Sequence, residues 1–449
     1  MPHLMTRAFA AAILLLISAT IANAASSGPP ATFKLANGLQ VVVIEDHRAP
    51  VVTHMVWYRC GAADETRGRS GIAHFLEHLM FKGTDKIPPG EFSKIVARQG
   101  GQDNAFTTHD ETVYHERVAR DRLSMVMSME ADRMAHLKLT DKIVLPERDV
   151  ILEERRMRID NNPASLLGEQ MAAAMFLNHP YGVPVIGWFH EMQKLTRADA
   201  EAWYNTHYGP NNAILIVAGD VTVAEVKALA EKHYGPIAAR PVPQRWRPTE
   251  PPPLAPRRIT LVDARATQSY FSRDYLAPTY RTAKGREAYA LTIGAEILGG
   301  DATSRLYRTL VEDRKIAAEI SASYNGDEYD DSTFDISLTP RSGVSLAALE
   351  AAGDKVIADL LKNGPTEEEM KRAISRLRAA AIFARDNQST MAQVYGFGLI
   401  NGETIDEIYK WPDVIATIKA EEVTTALRDV LKPERSVTGL LMAKAEATQ

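Results

Sequence analysis

The segment LTRADAEAWYNTHYGPNNAILIVAG, residues 195–219, returns in pattern as IKAEEVTTALRDVLKPERSVTGLLMA, residues 418–443. Each reads as a short helix, then a proline, then an apolar strand, and Pro210 and Pro433 align at an offset of 223 residues. Identity is low, but the pattern is that of a tandem duplication, which obliges the chain to build one packing unit twice. Between the copies, AARPVPQRWRPTEPPPLAPRR, residues 238–258, holds seven prolines from Pro241 to Pro256. Such a stretch forms neither helix nor central strand and reads as an extended linker. It leaves halves of ordinary domain size.

Each half opens with strands and then turns helical. Asn37-Gly38 is a hairpin turn signal, and LQVVVIEDH and VVTHMVWYRC after it are rich in β-branched and aromatic residues. RITLVDA and QSYFSRDYL play the same part in the second half. In DRLSMVMSMEADRMAHL, residues Leu123, Val126, Met127 and Met134 share one helical face, so the methionines read as core filling. Strands packed on helices, twice over, give an α+β fold of two similar tandem domains, each a mainly antiparallel sheet with helices on it.

The N-terminus, MPHLMTRAFAAAILLLISATIANA, has the parts of a secretory signal peptide: Arg7, an apolar run from Ala8 to Ile17, and Ala22-Asn23-Ala24 as cleavage site. The expected mature chain is periplasmic, with no stable membrane anchor after cleavage. Net charge is −5 and no basic run is interleaved with aromatics, so no nucleic-acid partner is expected. Cys60 is the only cysteine, which excludes an intrachain disulfide, and its strand-like setting marks it as a buried filler.

The chemistry concentrates in GIAHFLEHLMFKGT, residues 71–84. Gly71 and Gly83 bracket a helix whose Ile72, Phe75, Leu76, Leu79 and Met80 want burial. His74 and His78, at i and i+4, lie one above the other and can reach one metal ion, with Glu77 beside them. Burying three polar groups without a joint purpose is costly. Zinc accepts imidazole nitrogen and lowers the pKa of water to about 7, and a carboxylate can then act as general base. The third ligand is sought in LPERDVILEERRMRIDNNP, residues 145–163, read as a helix with Pro146 in its first turn and Asn161-Asn162-Pro163 at its stop. Glu147, Ile151 and Glu154 share one face, which makes Glu154 the third ligand and Glu147 a supporting carboxylate; Glu153, between Val150 and Met157, competes with Glu154. All twelve histidines lie at or before His233, so the second half carries no matching histidine site.

HFLEH followed by LMFKGT, with ERDVILEE downstream, resembles the pitrilysin/insulinase metallopeptidases, the inverted zincins. The resemblance runs over nearly the whole mature chain, through WYRCGAADE, GGQDNAFTTHDETVY, the proline linker and SRLYRTL, and is closest to bacterial members similar to mitochondrial processing peptidase subunits. It implies His74, His78 and Glu154 as ligands of Zn2+, with Glu77 as catalytic base and Glu147 as the accompanying catalytic-site glutamate. It also implies a peptide substrate bound as an added strand along Asn104, Ala105, Phe106 and Thr107; His109 and His115 nearby are not expected to be ligands. The division implied is a signal peptide at 1–24, a catalytic metallopeptidase domain at 25–237, a Pro-rich linker at 238–257 and a non-catalytic repeat domain at 258–449.

Active relatives often carry an Arg and a Tyr in the second half that bind substrate. Here LVEDRKIAAEIS, residues 310–321, puts Val311 and Ala318 at those places, with Arg314 and Tyr324 out of register. Neither Val nor Ala can donate to a developing oxyanion. The expectation is therefore a zinc endopeptidase acting as the catalytic chain of a two-chain clam-shell. Its partner would be a non-catalytic sister chain supplying Arg and Tyr, or, as second choice, another copy of itself. The alternative is a non-catalytic peptide-binding or chaperone-like subunit that retains the zinc motif, and a weaker third is a zinc hydrolase of a non-peptide substrate.

Overall fold

A computed structural model of the chain describes residues 28–443, so the expected signal peptide lies outside the described residues. The first half builds a six-stranded sheet from β1 (Ala31–Lys34), β2 (Gln40–Glu45), β3 (Val51–Tyr58), β4 (Gln102–Thr107), β5 (Thr112–Ala119) and β6 (Ala213–Gly219). Its helices are α1 (Ile72–Leu79), α2 (Glu91–Arg98), α3 (Leu123–His136), α4 (Asp141–Arg155), α5 (Pro163–Met175), α6 (Phe189–Met192), α7 (Arg197–His207) and α8 (Val223–His233). The second half contributes β7 (Arg257–Asp263), β8 (Tyr270–Ala277), β9 (Ala317–Tyr324), β10 (Ser332–Pro340) and β11 (Ser436–Ala443). Around them stand α9 (Glu287–Gly299), α10 (Leu346–Asn363), α11 (Glu367–Ala384), α12 (Gln388–Ile400), α13 (Ile405–Ile415) and α14 (Ala420–Val430).

The sheet orders are β1-β2-β6-β3-β5-β4 and β7-β11-β8-β10-β9. Dropping β1, the second repeats the first strand for strand. Each is antiparallel except for one pair, β2 with β6 and β7 with β11. The offset of 223 read at Pro210 and Pro433 carries α7 onto α14 residue for residue. The fold is thus two α+β units of one topology.

Each unit packs one sheet face on its own helices, where Leu123, Val126, Met127 and Met134 lie fully in the first core. The opposite face is covered by a helix from the other half. Apolar α12 lies on Trp57, Val113, Ile214 and Ile216 through Ala392, Tyr395 and Leu399. In return α5 lies on Leu276, Val437 and Leu441 through Leu167, Met171 and Met175. The linker, irregular from 238 to 256, is fastened to both units. Arg247 pairs with Asp64 and Asp110 of the first at 3.0 and 2.9 Å, and the Arg245 guanidinium lies 4.7 Å from the Tyr329 ring of the second.

The exchanged helices allow a paired test. A Cβ on Gly396 would stand 2.1 Å from Trp57 Cζ2, and one on Gly439 would stand 2.1 Å from Met171 Sδ. Trp57 is wedged edge-on between Phe106 and Phe397 and cannot yield, whereas a thioether can swing away. Gly396→Ala is expected to cost about 2 kcal/mol of stability and Gly439→Ala less than about 1 kcal/mol, read from denaturant midpoints.

Candidate metal centre

Helix α1 forms as its pattern demands. Ile72, Phe75, Leu76 and Leu79 enter the core; Gly71 starts the helix at φ +88, and Gly83, at φ +103, closes the 3-10 turn Met80–Lys82 that follows it, values that favour residues without a Cβ. The same register stacks His74 and His78, whose rings meet edge to face with centroids 4.8 Å apart.

Helix α4 differs from its expected bounds. It begins at Asp141 behind Thr140, and Pro146 lies inside it, not in its first turn. The buried Val144 extends the Glu147–Ile151 face by one turn toward the N-terminus, and that packing outweighs the one backbone bond a proline removes. After Arg155 the backbone widens into a π turn over Arg156–Asp160, and Asn162 caps α5 through its side chain. Glu154, in the last turn of α4, reaches the histidines: its Oε2 lies 3.4 Å from His78 Nε2 and 3.8 Å from His74 Nε2. Glu153 turns away and pairs with Arg156 at 2.9 Å. Among the described residues, His74, His78 and Glu154 are the one group of three such side chains whose ligand atoms all lie within 4.8 Å.

The remaining groups fix these three. His78 Nδ1 stands 3.0 Å from Glu147 Oε1, and Lys82 Nζ holds the other Glu147 oxygen at 2.6 Å. Arg158 Nη1 lies 3.0 Å from Glu154 Oε1. Glu77 is 8% exposed, and its Oε2 accepts a hydrogen bond from Thr107 Oγ1 at 2.6 Å. Two buried atoms of the cluster have no hydrogen-bond partner, His74 Nδ1 and Glu154 Oε2.

Burial, reinforced by the charge of His78, pulls the His74 pKa down to about 4. Burial acts on His78 in the same sense, but the hydrogen bond to Glu147 and the negative charge of the nearby Glu154 carboxylate overcome it and raise His78 to about 9. The neighbouring His78 imidazole in turn holds the Glu154 carboxyl below its ordinary range, against burial. Burial lifts the Glu77 carboxyl above its range, opposed by the Thr107 bond. A buried carboxylate with raised basicity beside two imidazoles and a second carboxylate is suited to moving a proton next to a cation.

The four residues considered for substrate lie on β4, an edge strand whose ladder partner is β5. Thr107 faces Glu77; Phe106 faces the opposite side, against Trp57 and Phe397. Asn104 Oδ1 accepts from the Ala105 amide at 2.9 Å, and Ala105 packs against the first core. His109 bonds the Val183 carbonyl and His115 lies by Phe106, both outside the cluster. Cys60 is fully buried. Val311 is buried and Ala318 exposed, while the Tyr324 hydroxyl is committed to the Pro278 carbonyl. Lys82 and the Thr107 bond to Glu77 escaped sequence reasoning, although Lys82 stands four residues after His78 on the same continuing turn.

The sequence model described as Insulinase (Peptidase family M16) matches residues 40–187, and that described as Peptidase M16 inactive domain matches residues 194–377. The zinc protease PqqE of Helicobacter pylori is 29% identical over 412 residues, covering 91% of either chain. A crystal structure of a protease from Helicobacter pylori superposes with a TM-score of 0.86 at 28% identity, over 92% of this chain and 99% of that one. The periplasmic protease PqqL of Escherichia coli superposes at 0.81 with 19% identity, over 95% of this chain but 49% of its own length.

Proposed function

This chain belongs to the insulinase family of peptidases, M16, and we propose that it is a zinc-dependent endopeptidase with the metal on His74, His78 and Glu154 and Glu77 as general base. The observation that carries this reading is the unpartnered Glu154 Oε2, buried 3.4 and 3.8 Å from two imidazole nitrogens. Donors about 2.0–2.1 Å from a tetrahedral zinc ion stand about 3.3 Å apart, so these spacings fit ligands of one ion better than hydrogen-bonded neighbours. The donor set, two imidazoles and a carboxylate, is also one that zinc accepts in hydrolytic sites.

Bound there, zinc supplies Lewis acidity toward a carbonyl and toward water. The protein does the rest. Glu147 accepts the His78 Nδ1 proton and so turns the lone pair of Nε2 toward the cluster, and Lys82 keeps Glu147 ionised and in place. Thr107 holds one oxygen of Glu77, leaving the other to take a proton from the attacking water and deliver it to the leaving amine. Because Thr107 belongs to β4, a peptide added along that edge at Asn104–Thr107 would bring its backbone beside the base. Main-chain pairing there suits extended peptides or unfolded segments of varied sequence.

The chain works as one half of a clam-shell. PqqL is about twice its length, and Val311 and Ala318 offer no donor where active relatives carry Arg and Tyr. A sister chain supplies those groups, with a second copy of this chain as the lesser choice. Residues 1–24 direct it to the periplasm. The same two positions favour one other reading, a non-catalytic peptide-binding subunit. The deciding experiment is peptide cleavage by the zinc-loaded chain, alone and with its co-purified partner. Cleavage that needs the partner and stops on chelation is expected; zinc binding without cleavage in either state would favour the peptide-binding subunit.

A further inference from the structure

Helix α1 has no capping side chain of its own. Its N-cap is Gly71, so the amides of its first turn must find acceptors elsewhere. They find them six and eight residues back: the Gly71 amide donates to Glu65 Oε2 and the Ala73 amide to Glu65 Oε1, both at 2.9 Å. One carboxylate thus spans the start of the helix that presents His74 at the very next position, with its negative charge at the positive end of the helix dipole. Burial raises the Glu65 carboxyl well above its ordinary range, against the pull of the two amides. Since both oxygens face N–H donors, protonation would sacrifice one of these bonds.

Glu65 is itself held. It follows the 3-10 turn Ala62–Asp64, whose Ala62 and Ala63 amides donate to the carbonyls of Thr108 and His109 at 2.9 and 2.8 Å. Those carbonyls belong to the turn joining β4 to β5, directly after Thr107. From the far side Glu191 Oε2 accepts from the Ser70 amide at 2.9 Å. A Cβ on Gly187 would stand 2.5 Å from the Ser70 carbonyl, and one on Gly71 2.4 Å from Met192 Sδ. The loop 65–71 therefore has little freedom to let α1 slide along its axis.

We propose that Glu65 is a positioning residue for the metal centre: it caps α1 from outside the helix, sets the height at which His74 and His78 meet Glu154, and ties that height to the β4–β5 turn. The inference rests on zinc being held by these three residues. Its test is the zinc affinity of the full chain by chelator competition, together with the visible spectrum of the Co2+-substituted protein, for wild type, Glu65→Gln and Arg305→Gln. Arg305 pairs with Glu369 and Asp359 in the second unit, so its variant reports loss of stability remote from the site. Glu65→Gln keeps one acceptor and sets an NH2 group against an amide N–H. It is expected to weaken zinc binding about tenfold and to alter the Co2+ bands, while Arg305→Gln lowers only the thermal midpoint. Should Glu65→Gln fail to fold, Glu65→Asp keeps the charge but reaches one amide, and an intermediate weakening is expected. Either variant binding zinc like wild type with an unchanged Co2+ spectrum would overturn the inference alone. A wild-type chain that took up no zinc would overturn the metal reading and this inference with it.

Discussion

Glu77→Gln is expected to bind zinc as wild type does while kcat falls by about 10³-fold, the scale of losing a positioned general base. The substitution changes charge and proton affinity with almost no change of shape. Thr107 Oγ1 still finds an acceptor oxygen at the place where it now meets Glu77 Oε2. Glu77 is 8% exposed, and burial already works against its ionised form, so a neutral amide there does not endanger the fold. KM should move little, because peptide binding is assigned to the β4 edge. The loss thus falls on kcat and kcat/KM together, as for a group whose contribution is made in the transition state. Stopped peptide-cleavage assays with the co-purified partner, at saturating and limiting substrate, read both constants. Cleavage at the wild-type rate would remove Glu77 from the role of base.

The second large effect concerns Glu154. In the wild-type chain zinc should raise thermal stability by linkage, by about 4 kcal/mol at a free concentration a thousandfold above the dissociation constant. Glu154→Ala is expected to abolish that gain and reduce cleavage to background, while the metal-free chain unfolds near the wild-type midpoint. The second half of that statement follows from the local contacts. Glu154 Oε2 has no hydrogen-bond partner, His78 beside it keeps its bond to Glu147, and Glu154 Oε1 pairs with Arg158, which is 72% exposed and can turn to solvent, where such pairs contribute little. Removing Glu153 instead, exposed and paired with Arg156, should leave the zinc-dependent gain intact. Thermal scans of the three chains with and without zinc make the comparison.

Much of this site could be read before the fold was known, and the parts that could not share a physical reason. Spacing along one element is visible in a sequence, so the stacking of His74 on His78 and the choice of Glu147 and Glu154 as one face of α4 were legible. The separation of Glu154 from Glu153 was only half legible, since neighbouring stripes differ by a rotation that tertiary packing decides. The start of α4 was misjudged because Pro146 is a strong local signal, and the burial of Val144 that overrides it is a long-range fact. Lys82 and Glu65 act through bonds that close loops, and composition carries no trace of where a loop brings its ends. The duplication was legible from Pro210 and Pro433. The exchange of α5 and α12 between the two sheets was not, because an apolar helix declares that it is buried but not against what.

The proposed zinc ion would sit where α1 and α4 meet. Anomalous diffraction at the zinc absorption edge, from crystals of the wild-type chain grown with zinc, tests it most directly. A single strong peak bounded by His74, His78 and Glu154 is expected. A map with no peak there, and Glu154 engaged by Arg158 alone, would contradict it.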